Sequence, residues 1–96
     1  MNLYNYIAPK NGEIFDTLLD NKSIKIVRIV SSDSVDNKIY IQDEEEWVVV
    51  LEGYAVLEID GVVVELKNGD SLFIPKKIPH RVTKTKANTL WLAIHI

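Results

Sequence analysis

Two histidines and one glutamate are the residues of this chain best suited to chemistry. The chain has no cysteine, so thiolate nucleophiles, thiolate metal sites and disulfides are excluded. His80 and His95 are its only histidines. Imidazole changes charge near neutral pH and is a common metal ligand, suited to Zn, Cu, Fe and Ni. Glu46 heads an apolar run, Glu46-Trp47-Val48-Val49-Val50-Leu51, which Glu52-Gly53 terminates. His80 closes a second cluster, running from Gly69 through Pro75 and Pro79. A carboxylate and an imidazole brought together can work as acid and base on one substrate. Each also has a plainer reading. Glu46 can be the last residue of an acidic turn from Asp43, and His80 a strand-start residue after Pro79.

Strands must position these groups. Ile24 to Val30 is rich in β-branched residues and reads as a strand, Ser31 to Asn37 as a polar loop. Lys38 to Gln42 reads as a short strand, and Glu46 to Leu51 as the next. Ala55 to Ile59 and Val62 to Leu66 flank Asp60-Gly61, a dipeptide suited to a two-residue type I′ hairpin turn. That turn pairs Ile59 with Val62, Leu57 with Val64 and Ala55 with Leu66, all apolar and on one face. Ser71 to Ile74 follows, then a proline-bounded loop from Pro75 to Pro79. His80 to Thr85 and Leu90 to Ile96 read as a final hairpin around Lys86-Ala87-Asn88-Thr89. In that register His80 lies opposite His95, and directly opposed residues share a face. One helix is expected near the start, capped by Asn11 or Gly12, with Ile14, Phe15, Leu18 and Leu19 on one face and Asp20-Asn21 at its end.

Ninety-six residues make one domain. At 47 % hydrophobic and 26 % charged, the chain has the composition of an ordinary globular protein. The net charge of −3 comes with no basic stripe, so nucleic acid is not the expected partner. No run is apolar and long enough to cross a bilayer as a helix. The first residues lack a signal-peptide pattern, so a cytoplasmic protein without membrane attachment is expected. The strands Glu46–Leu51 and Leu90–Ile96 are apolar on both faces, which calls for cover on the outside. With little spare chain to supply it, a homodimer is expected. Trp47 and Trp91 read as packing or interface residues. Arg81 and Lys84 read as a solvated face, with an anion-binding role near a barrel mouth as the sharper reading.

The two clusters resemble the two motifs of the cupin superfamily. The first motif is a glycine, five residues, His-x-His, three or four residues, Glu, six residues and Gly. Glu46 and Gly53 match its second half, and its paired histidines are absent. The second motif is a glycine, five residues, Pro-x-Gly, two residues, His, three residues and Asn. Gly69, Pro75 and His80 match, while Lys77 and Lys84 replace its inner glycine and final asparagine. The resemblance covers roughly residues 38 to 96. It is closest to short bacterial cupins that carry Tyr-x-Gln before Glu-Trp and end in Trp-Leu-Ala-x-His, a subgroup without a settled activity.

The resemblance implies an all-β fold, a double-stranded β-helix or jelly-roll barrel, here with the short N-terminal helix added. By position, Glu46 and His80 fall on two of the four metal-ligand sites of metal-binding cupins, and Tyr40 and Gln42 on the other two. Gln42, Glu46 and His80 would then hold a divalent ion weakly (Zn, Ni, Fe or Mn), and Tyr40 and His95 would join them around a ligand. Exchanging two imidazoles for a phenol and an amide weakens a transition-metal site. A small-molecule-binding barrel is therefore the first reading. A metal-dependent isomerase or dioxygenase is the alternative, and a packed structural or regulatory dimer the third.

Overall fold

A computed structural model describes residues 1–96 as eight strands and no helix. In chain order they are β1 (Glu13–Asn21), β2 (Ile24–Ser31), β3 (Glu46–Glu52), β4 (Tyr54–Ile59), β5 (Val62–Lys67), β6 (Ser71–Ile74), β7 (His80–Thr85) and β8 (Thr89–His95). One sheet has five strands in the order β1-β2-β8-β3-β6, and the other has three in the order β5-β4-β7. All pairings are antiparallel. The two sheets face each other as a jelly-roll sandwich. No helix is present, so none is long and apolar enough to cross a membrane.

The core lies between the sheets. Val27, Ile29, Val48, Val50, Trp91 and Ala93 come from the larger sheet, and Ala55, Leu57 and Leu66 from the smaller. Their alternation along each strand is the period-two pattern of a half-buried sheet. Burying each larger aliphatic side chain contributes about 1.5–3 kcal/mol. The β4–β5 hairpin forms as its sequence predicts, with Ile59 on Val62, Leu57 on Val64 and Ala55 on Leu66. Asp60 and Gly61 both take positive φ, 49° and 81°, as a type I′ turn requires.

Three expectations are corrected. The N-terminal helix is strand β1, hairpinned onto β2 through a turn in which Lys22 has φ 56°. The register slips between Thr17 and Leu19, which leaves Leu18 as a bulge residue. A bulge advances the alternation by one, so the apolar residues recur at a spacing that imitates a helix. A nine-residue helix would stand alone marginally, whereas the hairpin satisfies the backbone of β1 through β2. The segment Lys38–Gln42 forms a single bridge, Tyr40 to His80, and not a strand. It passes alone across the end of the sandwich, with its peptide groups bonded to His80 and Lys77.

The last hairpin is also corrected. β7 lies in the smaller sheet and β8 in the larger one, so His80 and His95 are not paired. Residues 86–88 carry the chain from one sheet to the other. Thr89 pins that corner: it is fully buried, and its hydroxyl donates to the Lys86 carbonyl at 2.7 Å. His95 instead pairs with Lys25 of β2 and Glu46 of β3.

The N-terminal segment lies against the outer face of the larger sheet. Arg28, 9 % exposed, forms an ion pair with Asp16 at 2.9 Å. The same guanidinium donates to the carbonyls of Asn2, Leu3 and Asn5. This contact covers part of the outer face at β2.

Gly53 is where the β3–β4 connection meets the Thr89 corner. Its φ is 119°, and a Cβ there would lie 2.5 Å from the Thr89 hydroxyl and 2.8 Å from the Thr89 backbone. Gly53→Ala is expected to cost about 2–3 kcal/mol. Gly69→Ala, at φ 84° with open space around it, should cost only about 1 kcal/mol. Urea denaturation of both variants checks the ranking; equal losses would refute the clash at Thr89.

Candidate functional site

A cavity of about 290 Å³ opens between the sheets. Its walls are largely apolar, from Val27, Ile29, Val48, Leu57, Ile74, Val82 and Trp91. Polar groups enter it from Tyr40, Gln42, Glu46, His80 and His95, and also from Glu13, Lys25 and Glu44. Its size is at the small end for ligand pockets.

Glu46 faces inward because it opens β3 in phase with the core residues Val48 and Val50. It is 8 % exposed. Pairing on one side to His95 and on the other to Ile74 fixes its height in the sheet. His80 opens β7 opposite Ile59 and is equally buried. Its Nδ1 lies 3.0 Å from the Ile78 carbonyl oxygen. A carbonyl only accepts, so Nδ1 carries the proton, and in the neutral ring Nε2 is a lone pair. That Nε2 is 3.8 Å from Glu46 Oε1 and 3.4 Å from the Gln42 amide nitrogen.

Gln42 links the two. Its amide donates to Glu46 Oε1 at 2.8 Å. The Tyr40–His80 bridge places Gln42, although β-pairing does not extend along its segment. The Tyr40 and His80 rings stack with centroids 6.1 Å apart and 25° between planes. Burial, then the charges of Asp36 and Glu13, push the Tyr40 hydroxyl above its usual 10.0. It is therefore a neutral donor at physiological pH.

His95 reaches the cavity by a route the sequence did not indicate. It arrives through the pairing of β8 with β3, and its Nε2 lies 3.9 Å from Glu46 Oε2. Its Nδ1 is 3.4 Å from Glu44 Oε1, within ion-pair range. That contact is not aligned as a hydrogen bond, and Nδ1 stays buried without a partner. All five predicted site residues thus line one cavity. Arg81 and Lys84 do not line it: Arg81 forms an ion pair with Glu58 at 3.2 Å, and Lys84 is exposed. The cation in the wall is Lys25. Trp91 is buried in the core, and Trp47 sits on the outer face, 36 % exposed.

Glu13 was missed. The expected helix, with only Ile14, Phe15, Leu18 and Leu19 on its buried face, gave Glu13 no inward place, whereas β1 pairs it with Ser31 and turns it into the cavity. The Ser31 hydroxyl donates to Glu13, and the Trp91 indole donates to Ser31 Oγ at 2.9 Å. Burial raises the Glu13 carboxyl above the usual 4.5; the Ser31 hydrogen bond opposes that and Asp36 adds to it. The alternation Glu13-x-Phe15-x-Thr17 was the signal available for an inward strand face.

The donor set does not fit a resident metal as arranged. No three of the His, Asp and Glu side chains form a group that could hold a cation. Gln42 turns an N–H toward both Glu46 and His80, where a cation would need lone pairs. These residues form a hydrogen-bond network.

Comparison with known proteins agrees with this fold. A cupin-domain profile matches residues 34–95, and the chain belongs to the cupin family. An uncharacterized protein of Methanocaldococcus jannaschii is 32 % identical over 90 residues, 82 % of this chain and 70 % of its own length. A crystal structure from Ralstonia eutropha, provisionally named a mannose-6-phosphate isomerase, is 35 % identical with TM-score 0.88, covering 99 % of this chain and 94 % of that one. HppE, solved with cobalt(II) and substrate, shares the fold at 21 % identity and TM-score 0.77, over 88 % of this chain and 52 % of that one.

Glu13 makes stability depend on pH. A carboxyl whose pKa is raised by folding stabilises the native state below its unfolded value, here about 4.5, and that contribution is lost as pH rises through the raised value. Glu13→Gln has no charge to desolvate and keeps an acceptor for Ser31. Its melting temperature should match wild type near about pH 4 and exceed it increasingly toward about pH 8. A calorimetric pH series checks this; a gap that shrinks with rising pH would contradict it.

Proposed function

We propose that this cupin binds a small hydroxylated molecule inside the sandwich, by direct hydrogen bonds to Glu46 and His80. One observation carries the reading. Glu46 Oε2 accepts no hydrogen bond, and His80 Nε2 has only the long contact with Gln42, yet both groups sit within a mostly apolar cavity. Both are acceptors with lone pairs free toward the cavity, so the site is suited to a ligand that brings O–H donors. Gln42 holds Glu46 in place, and the Tyr40 hydroxyl and His95 contribute further polar contacts. Val48, Leu57, Ile74 and Val82 enclose the carbon skeleton. A cavity of this size is not what a barrel packed solid would have.

An isomerase is the second reading. The 35 % identical Ralstonia relative carries the provisional name of one, and Glu46 and His80 lie 3.8 Å apart as an acid–base pair for a hydroxy-carbonyl substrate. NMR titration with D-mannose, D-mannose 6-phosphate, glycerol, ribitol and sorbitol tests the binding reading. At least one should bind without added metal, and Glu46→Leu should weaken it by about tenfold or more. No binding by any of them would refute the reading. Binding only on addition of a divalent ion would refute its direct, metal-free form.

We also propose a homodimer through the outer face of the larger sheet. An apolar row crosses all five strands there: Leu19 beside Ile26, Ile26 beside Ile94, Ile94 beside Trp47 and Trp47 beside Phe73. Leu19, Trp47 and Phe73 are 45 %, 36 % and 50 % exposed, and contiguous exposed apolar surface marks an interaction site. Light scattering should give twice the chain mass for wild type and a monomer for Trp47→Lys with Phe73→Lys. A monomeric wild type would overturn this assembly.

A further inference from the structure

The polar groups of the cavity form two poles, and only one of them enters the binding reading above. Glu46 sits beside His95, at the end of β8. Glu13 sits beside Ser31, which in turn pairs with Thr89 at the start of β8. Both carboxyls line the same cavity. Tyr40 lines the same cavity and stacks on His80.

The Glu13 pole is built. Trp91 is 2 % exposed and Ser31 fully buried. The indole N–H donates to Ser31 Oγ, whose own hydroxyl proton goes to Glu13 Oε2. This relay has one direction, because an indole only donates. It locks one carboxyl oxygen of Glu13, and Oε1, which takes no protein hydrogen bond, stays accessible. A buried donor relay that ends on a carboxyl lining the cavity leaves one oriented acceptor available to a ligand.

We propose that Glu13 is a second ligand-contacting carboxyl, positioned by Ser31 and Trp91, and that it selects extended molecules hydroxylated at both ends. This rests on the binding reading and adds its far contact. Glu46 and His80 take the near hydroxyls, and Glu13 Oε1 takes the distal one. A short polyol reaches only the first pole. A longer open-chain polyol reaches both and gains one hydrogen bond to a carboxyl.

Glycerol, ribitol and sorbitol form the test series, followed by the indole N–H signals in ¹⁵N-labelled protein. The chain has two tryptophans, so Trp91 is assigned by its persistence in Trp47→Phe. Affinity should rise along the series, and the Trp91 signal should shift with sorbitol more than with glycerol. Glu13→Gln and Ser31→Ala should each lower affinity, with a loss that grows from glycerol to about tenfold for sorbitol. A general loss of fold would instead weaken every ligand alike. If sorbitol binds wild type with the Trp91 signal unmoved, or binds Glu13→Gln as tightly as wild type, the Glu13 contact is refuted while the Glu46–His80 reading stands. If no polyol binds wild type, the Glu13 contact is refuted, and the Glu46–His80 reading falls with it only when D-mannose and D-mannose 6-phosphate also fail to bind.

Discussion

The seat of β8 between β2 and β3 is the constraint on which the rest of the structure depends. β8 is hydrogen-bonded along both edges, to Lys25–Ser31 on one side and to Glu46–Glu52 on the other. Because side chains alternate across a strand, this one placement turns Trp91, Ala93 and His95 inward together. It puts His95 beside Glu46 and brings the Trp91 indole to Ser31. Moving β8 into a hairpin with β7 would break all of these contacts at once. The corner at Thr89 and Gly53 is what lets the chain leave the smaller sheet and enter the larger one at that point.

The cavity joins two opposing physical demands. A chain of this length must bury most of its apolar side chains to fold, and the opposed inner faces do so. Yet Glu46 and His80 are each buried to 8 % exposure, and Glu13, Gln42 and His95 sit with them. Buried polar groups are tolerated where their hydrogen bonds are met. Some are met here: Glu46 by Gln42, His80 by the Ile78 carbonyl, and Glu13 by Ser31. His95 Nδ1 is buried without one, and the second oxygens of the two glutamates have no protein donor. A fold selected for stability alone would place aliphatic residues at such positions.

How far the chain could be read depended on how local each determinant was. The Asp60-Gly61 turn and its flanking alternation set the β4–β5 register, because a two-residue turn leaves no freedom to slip. The alternation of Glu46, Val48 and Val50 turned Glu46 inward. The spacing Gly69, Pro75, His80 placed the imidazole at a strand start, where it is found. Segment 13–21 was misread because a bulge at Leu18 replaced period two with a helix-like spacing. Segment 38–42 was misread as a strand because one bridge and an extended path leave the same imprint on a short stretch as true pairing.

By itself, the amino-acid sequence determined an all-β cupin chain and the side chains most able to do chemistry in it: Tyr40, Gln42, Glu46, His80 and His95. Those features are written in turns, alternation and spacing, which act over a few residues. Only the tertiary structure decided that His95 meets Glu46 and not His80, that Glu13 belongs to the cavity, and that Gln42 presents a donor to its neighbours. Each of these depends on which strands become neighbours across long stretches of chain. Strand neighbours are set by how the whole molecule closes its core, and no local pattern records that choice.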